Sequence, residues 1–374
     1  MSEQAEFENR LTNPQRFDIK LMRDVEIVIE DRRRQGLDGL VGGLQAVIIN
    51  TEPELQNSAI EELMRYSGLR FQEAFHDSYF RTCVLRVPGS REFRSADFLI
   101  RSRRNGPNPF QELNLAPRSR HLPNTRLETL VFETSDIFKY VSLQKESGVR
   151  FSGTIQDCHN YYFIQTEPSL WTGNSLGFIQ WKGEKGVYST PDSLRLERKT
   201  DLPESSCLRN IRWLDHAATR VRAQDRNNAI LEFLRLTNYK FDFAIPVQSQ
   251  NSITSVARLS HSDFAMVFTS GITPYESSES SGPTEKFIQN YGPRVHHIAF
   301  QTEEIEETIR ALGEGGMEFL LDLVGSPEEG LKQIFSVPSQ NTLLVTEYIH
   351  RYDDFDGFFS ESNVTRLTAA TGKQ

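Results

Sequence analysis

Residues 127–151 and 295–319 are two copies of one pattern, and an internal copy of that length restricts the chain to a duplicated architecture. The first copy reads LETLVFETSDIFKYVSLQKESGVRF and the second VHHIAFQTEEIEETIRALGEGGMEF. They align without a gap at an offset of 168 residues. Phe132 meets Phe300, Thr134 meets Thr302, Ile137 meets Ile305, Gly148 meets Gly316 and Phe151 meets Phe319. Each copy reads as a strand, a helix and a glycine turn into a further strand. The glycine stands where a helix C-terminus favours a left-handed residue. Two weaker echoes extend the duplication: 44–47 parallels 214–217, and 176–180 parallels 343–347. The chain therefore reads as two similar halves, each with two strand–helix–strands units.

The 374 residues suit two domains of ordinary size. Hydrophobic residues at 37% and charged residues at 25% support a packed core and exclude wholesale disorder. Residues 1–40 read as a polar leader with one helix near 17–34. Residues 41–181 form the first half, and the polar, turn-rich stretch 182–209 is expected as a linker. Residues 210–352 form the second half and 353–374 a tail. Within the first half, strand patterns fall at 44–50, 80–87 and 96–101, with a loop over 101–124. Leu55, Ile60, Leu63 and Met64 give 52–66 a helical pattern.

Charge and cysteine usage narrow the function classes. Arg32, Arg33 and Arg34 stand beside Glu30 and Asp31 and read as a solvated helix face. With a net charge of -9 and no long basic run, nucleic-acid binding is not expected. Cys83, Cys158 and Cys207 are odd in number and far apart, which fits a reducing compartment and opposes a disulfide framework or a zinc–thiolate site. No apolar stretch is long enough to span a bilayer. The opening MSEQAEFENR is polar and acidic, unlike a secretory signal, so a cytoplasmic location is expected.

Three residues of the second half carry the chemistry. His216 sits in IRWLDHAATRV, His297 in RVHHIAFQTEEI and Glu347 in TLLVTEYIHR, all apolar, β-like runs. Two neutral imidazoles and a carboxylate can occupy one face of an octahedral Fe(II) and leave the opposite face for substrate and O₂. At the equivalent positions the first half carries Ala46, Thr129 and Gln180, none of which holds iron well, so a single site is implied. Spacing alone does not bring the three together, and a buried histidine is more often a hydrogen-bonded core residue than a ligand. His296 alternates to the other strand face and is not taken as a ligand. Asp215 reads either as a partner behind the ligands or as an exposed turn residue, the latter favoured, and His76, His121, His159, His261 and His350 as structural or surface residues.

Four segments in order, LDHA at 214–217, VHHIAF at 295–300, QIFSVP at 333–338 and LVTEYIHR around Glu347, give residues 211–363 a specific likeness. The chain resembles the 4-hydroxyphenylpyruvate dioxygenase and hydroxymandelate synthase family of the vicinal oxygen chelate superfamily. The resemblance implies an α+β fold of tandem βαβββ modules forming two open β-barrel domains, glyoxalase/dioxygenase-like. The first domain would be metal-free. The second would hold Fe(II) on His216, His297 and Glu347 beneath a C-terminal lid helix. It implies a non-haem Fe(II) dioxygenase, an oxidoreductase that oxidatively decarboxylates a 2-oxo acid and hydroxylates the same molecule. O₂ and the small 2-oxo acid are then the partners, no membrane is involved, and a homo-oligomer (dimer or tetramer) is expected. Gln333 and Phe335 match catalytic-pocket positions, and Ser252, Phe358 and Asn363 match substrate-side positions. Core packing is an equal reading for Phe335 and Phe358, and the family's GFGxGN is altered here to GFFSESN.

The departures bear on substrate. Ile272 stands where the family has an asparagine, and Pro283 falls near a family glutamine, after a Ser-rich loop at 277–281. Burying one unpaired polar group costs about 1–3 kcal/mol, so a phenol-binding pocket keeps such partners. Their loss points to an aryl or alkyl 2-oxo acid other than 4-hydroxyphenylpyruvate, with a less polar tail against Ile272. The stretch from Phe319 to Gln333 is also shorter than the family's. Competing readings are an extradiol catechol dioxygenase, a non-catalytic binding protein of the same fold, and a metal-dependent isomerase or lyase.

Overall fold

The computed structural model describes residues 18–89, 95–198, 205–352, 355 and 357–373. The expected leader before Asp18, residues 199–204 of the expected linker and residues 353, 354, 356 and 374 of the tail lie outside the described residues. Helix α1 (Ile19–Gln35) carries Leu21, Val25, Val28 and Arg32 on one stripe, because three- and four-residue steps return to the same face. All four are buried. This corrects the reading of Arg32 as solvated. Its guanidinium donates to the carbonyls of Leu234, Thr237 and Tyr239 at 2.9, 2.9 and 2.8 Å, capping the carbonyl end of a helix in the second half. Arg33 and Arg34 stay outside, paired with Glu30 and Asp31.

The first half contains two βαβββ modules. One runs β1 (Val41–Thr51), α2 (Gln56–Tyr66), β2 (Arg70–His76), β3 (Phe80–Arg86) and β4 (Asp97–Arg103). The next runs β5 (Arg126–Thr134), α3 (Ile137–Glu146), β6 (Gln156–Asp157), β7 (Tyr161–Gln165) and β8 (Ser175–Trp181). Short β9 (Leu194–Arg195), in the stretch expected as a linker, pairs with β2. The second half repeats the plan with β10 (Ile211–Arg220), α4 (Arg226–Leu236), β11 (Lys240–Val247), β12 (Ser252–Arg258) and β13 (Ala265–Gly271). After α5 (Pro283–Tyr291) come β14 (Arg294–Thr302), α6 (Ile305–Glu314), β15 (Val324–Ser326), β16 (Leu331–Phe335) and β17 (Val345–Arg351), then α7 (Glu361–Ala370). In each sheet the first strands of the two modules pair antiparallel (β1 with β5, β10 with β14), and each pairs in parallel with its own module's last strand. The result is two curled, open-barrel sheets.

The repeat read at 127–151 and 295–319 is the β5–α3 and β14–α6 unit. Gly148 and Gly316 end the two helices with φ of 86° and 95°, where a side chain would be strained. One of the weaker echoes slips. Val131 lies opposite Gly177 on β8, and its counterpart Ala299 lies opposite Glu347 on β17. Gly177, not Gln180, therefore stands where Glu347 stands. Gln180 instead accepts a 2.8 Å hydrogen bond from the Ile137 backbone N–H at the start of α3. A Cβ on Gly177 would meet Phe163, Thr129 and Val131 at 3.0, 3.1 and 3.1 Å, so the first barrel is filled where the second is open.

The halves pack about a pseudo-two-fold axis. Arg126 donates to the Pro293 carbonyl at 2.8 Å, and its repeat counterpart Arg294 donates to the Thr125 carbonyl at 2.6 Å. Such a reciprocal exchange is what a two-fold relation requires. Phe98 stacks on Phe300 at 5.7 Å, and Phe132 meets Phe233 and Tyr239 edge-on at 5.8 and 5.5 Å. One hydrophobic core thus runs through both halves.

Candidate metal centre

Neighbouring strands set the three residues side by side. His216 is on β10, opposite Ala299 of β14, and Ala299 is opposite Glu347 of β17. His297 lies two positions before Ala299 on β14, so it faces the same side of the sheet. All three are buried, and their ligand atoms fall within 4.8 Å of one another; among the described residues, no other His, Cys, Asp and Glu group of this kind occurs. Glu347 Oε2 is 3.0 Å from His216 Nε2 and 3.3 Å from His297 Nε2. Adjacent ligand atoms on an octahedral cation with bonds near 2.1 Å lie about 3.0 Å apart.

The remaining atom of each ligand is held by the protein. Asp215 is 2.7 Å from His216 Nδ1, and Arg351 grips Asp215 with two bonds of 2.5 and 3.0 Å. Asp215 is therefore a buried orienting group and not the exposed turn residue read from the sequence; the alternation that turns His216 inward did not reveal that Arg351 would face it. Gln333 donates to Glu347 Oε1 at 2.6 Å, and Asn363 on α7 donates to Gln333 at 3.1 Å. His297 Nδ1 is 2.8 Å from His296 Nδ1. His296 thus touches the site through its neighbour, although it contributes no converging atom.

Two observations test whether a cation fits. His216 Nε2 is buried and has no hydrogen-bond partner among the described residues, although a carboxylate oxygen is close. The donor set, two imidazoles and one carboxylate, is the one that open octahedral Fe(II) sites use. Burial alone opposes charge on His216, but Glu347 and then Asp215 outweigh it and hold its pKa up to about 9. Burial, then His296, His216 and Arg220, push His297 well below the ordinary histidine value. Burial would raise Asp215, yet Arg351 and His216 hold it well below the usual carboxylate range. The residues present fit a divalent cation that would replace one proton.

Beside the triad lies a cavity of about 40 Å³. His297, Gln333, Phe335 and Glu347 form its metal-side wall, and Phe359, Val364 and Leu367 form its roof from the α7 segment. Phe335 lies 4.8 Å from the His297 ring, and Phe358 and Phe359 lie 5.5 and 5.2 Å from His216. Roomier clefts of about 250 and 330 Å³ lie away from the triad, near Arg198 and near Glu62. Ser252 is buried behind the cavity, 3.3 Å from Thr284, which does line it. Ile272 is not at the wall. Inward-facing positions on β13 are Ala265, Val267 and Thr269, and Ile272, one residue past the strand, has the opposite parity.

The far wall is more polar than the sequence suggested. Arg220, Thr254, Thr269 and Thr284 line it. Arg220 is fully enclosed, and burial pushes its pKa down to about 9. Sequence reasoning missed it, although its parity on β10 is that of His216.

No family model matches the sequence, and no curated protein matches it. Solved structures do match. A mutant of 4-hydroxymandelate synthase from Streptomyces coelicolor superposes with a TM-score of 0.67 at 16% identity, over 89% of this chain and 99% of its own. A xylose isomerase-like TIM barrel/4-hydroxyphenylpyruvate dioxygenase fusion protein gives 0.58 at 13% identity, over 90% of this chain and 53% of that chain. At such identities the likeness is one of fold, and it is the fold of tandem βαβββ modules expected from the sequence.

Proposed function

We propose that the protein is an iron(II)-dependent dioxygenase acting on a 2-oxo acid. The observation that carries this reading is the convergence of His216 Nε2, His297 Nε2 and Glu347 Oε2 on one point, with His297 and Glu347 lining a cavity. Its fold likeness to a 4-hydroxymandelate synthase supports the reading. Iron(II), when bound, supplies the redox chemistry by which O₂ and a 2-oxo acid react.

The chain's own residues do the rest. Arg351 fixes Asp215, and Asp215 keeps the proton on His216 Nδ1, so Nε2 presents its lone pair. Gln333 turns Glu347 so that Oε2 faces the histidines. Asn363 ties Gln333 to α7, linking lid position to ligand orientation. Phe335, Phe358 and Phe359 exclude water from the centre, which strengthens electrostatic contacts inside it. The test is to load the purified protein with iron(II) and supply a panel of aryl and alkyl 2-oxo acids under air. O₂ uptake matched by CO₂ release is expected with at least one of them. Absence of both across the panel, with iron bound, refutes the reading.

A further inference from the structure

The second barrel encloses a cation that no anion among the described residues answers. Arg220 is 4% exposed, and its Nη1 is buried without a hydrogen-bond partner. Among the described residues its close neighbour is the Phe287 ring, 4.6 Å below the guanidinium. Other buried arginines among the described residues make side-chain hydrogen bonds, although Arg32 Nε and Arg226 Nη2 also lack partners. Arg32 donates to three carbonyls, Arg126 to Pro293, Gly173, Leu113 and Asn114, and Arg226 pairs with Asp18 at 2.9 Å. A lone buried guanidinium is costly to keep and is normally replaced by an apolar residue unless something binds it.

The surroundings say what binds. Arg220 lies opposite Thr269 on β13, and Thr269 lies opposite Thr254 on β12, so the three form one row across adjacent strands. The Thr254 hydroxyl makes no hydrogen bond among the described residues, and Thr284 completes the wall from α5. On β10, Arg220 is four residues beyond His216 on the same face, about 13 Å along the strand, and two residues beyond Ala218, which lies opposite His297. One cavity is therefore lined by His297 and Glu347 of the triad and by a guanidinium fork with threonine hydroxyls, of which Thr269 also donates to the Thr219 carbonyl at 3.4 Å. A guanidinium takes a carboxylate through two parallel hydrogen bonds, and hydroxyls satisfy its remaining lone pairs.

We infer that Arg220, with the hydroxyls of Thr254, Thr269 and Thr284, receives a second carboxylate at the far end of the substrate, making this a site for 2-oxo diacids. The inference rests on the dioxygenase reading for the 2-oxo end alone. It replaces the expectation of a less polar tail. A chain-matched monoacid would leave the guanidinium buried and unpaired, and a site built for a polar group rejects an analogue that lacks it.

The test is anaerobic calorimetry on iron(II)-loaded protein with 2-oxoadipate against 2-oxohexanoate, and 2-oxosuberate against 2-oxooctanoate. In the wild type at least one diacid binds about thirtyfold or more tighter than its monoacid. In Arg220→Met, which matches the volume without the charge, that ratio falls to about one. Arg220→Lys keeps the charge without the fork and retains part of the preference, which guards against misfolding of the first variant. Equal binding within both pairs overturns the inference. So does equal weakening of both members in Arg220→Met, because Arg220 would then hold the carboxylate they share. The same titrations on metal-free protein separate the two readings. A diacid preference lost in Arg220→Met, alongside no O₂ uptake by the loaded protein, upholds Arg220 and removes the dioxygenase. O₂ uptake with diacids and monoacids at equal kcat/KM does the reverse.

Discussion

Each residue of the triad turns one atom toward the other two and has its other atom held by the protein, and that second contact is what single substitutions expose. Asp215→Asn removes the charge between His216 and Arg351 while keeping the shape. Metal affinity is expected to fall about 10–100-fold, read by titration with Co(II) or Zn(II), with the fold intact by circular dichroism. The pH dependence follows from His216, whose pKa stands at about 9 against 6.5 for the free side chain. Below pH 9 the metal-free site keeps a proton that the cation must displace. Affinity is therefore expected to rise about tenfold per pH unit up to pH 9 and then level off, with one proton released at pH 7. Calorimetry in buffers of different ionisation enthalpy counts that proton. The same raised pKa stabilises the metal-free fold below pH 6.5, a contribution lost as pH rises from 6.5 to about 9. Metal-free protein should thus lose melting temperature across that window. A flat profile there contradicts the proton's placement.

Among the elements, α7 ties the C-terminal segment to the triad. Its N-cap Ser360 accepts from the Asn363 N–H at 3.2 Å, and Asn363 reaches Gln333. Phe358 and Phe359 are each 5% exposed, and burying a phenylalanine contributes roughly 1.5–3 kcal/mol to holding the segment down. With α7 seated, about 40 Å³ remains, room for only a few waters, so the proposed 2-oxo acid would need this segment to lift. A chain ending at Tyr352 is expected to consume O₂ without matching product. An O₂-to-product ratio near one in that truncation would show that α7 is no lid. The first half has an equivalent strand but no equivalent space. Gly177→Ala, whose added methyl meets Phe163, Thr129 and Val131, is expected to lose about 1–3 kcal/mol in urea unfolding and to bind metal as before.

At the scale of the molecule, the two halves behave as one core. Arg126 and Arg294 exchange bonds with Pro293 and Thr125 across the pseudo-axis, and α1 clamps the end of α4 through Arg32. Arg126→Met strands several buried carbonyls and is expected to cost on the order of 3 kcal/mol. The loss should lower the unfolding midpoint of both halves together, measured by hydrogen exchange along the chain. Separate midpoints would mean that the halves fold independently. The first half then has a physical role: it buttresses β14, the strand that carries His297, through Arg126 and the Phe98–Phe300 stack.

The order of letters by itself settled the duplication, the strand and helix positions of the strong repeat, and which half carries His216, His297 and Glu347. Those features live in local periodicity and in short segments, which a linear reading can see. It could not tell Gly177 from Gln180 as the counterpart of Glu347, because a three-residue change of offset is invisible until strands pair. It misjudged Asp215, Arg32 and the far wall of the cavity for the same reason. Whether Asp215 meets Arg351, whether Arg32 meets the end of α4 and whether Arg220 meets a row of threonines depends on register between segments far apart in sequence. Side-chain parity says only which face a residue takes; tertiary packing decides what waits there, because burial makes every polar neighbour either a partner or a cost.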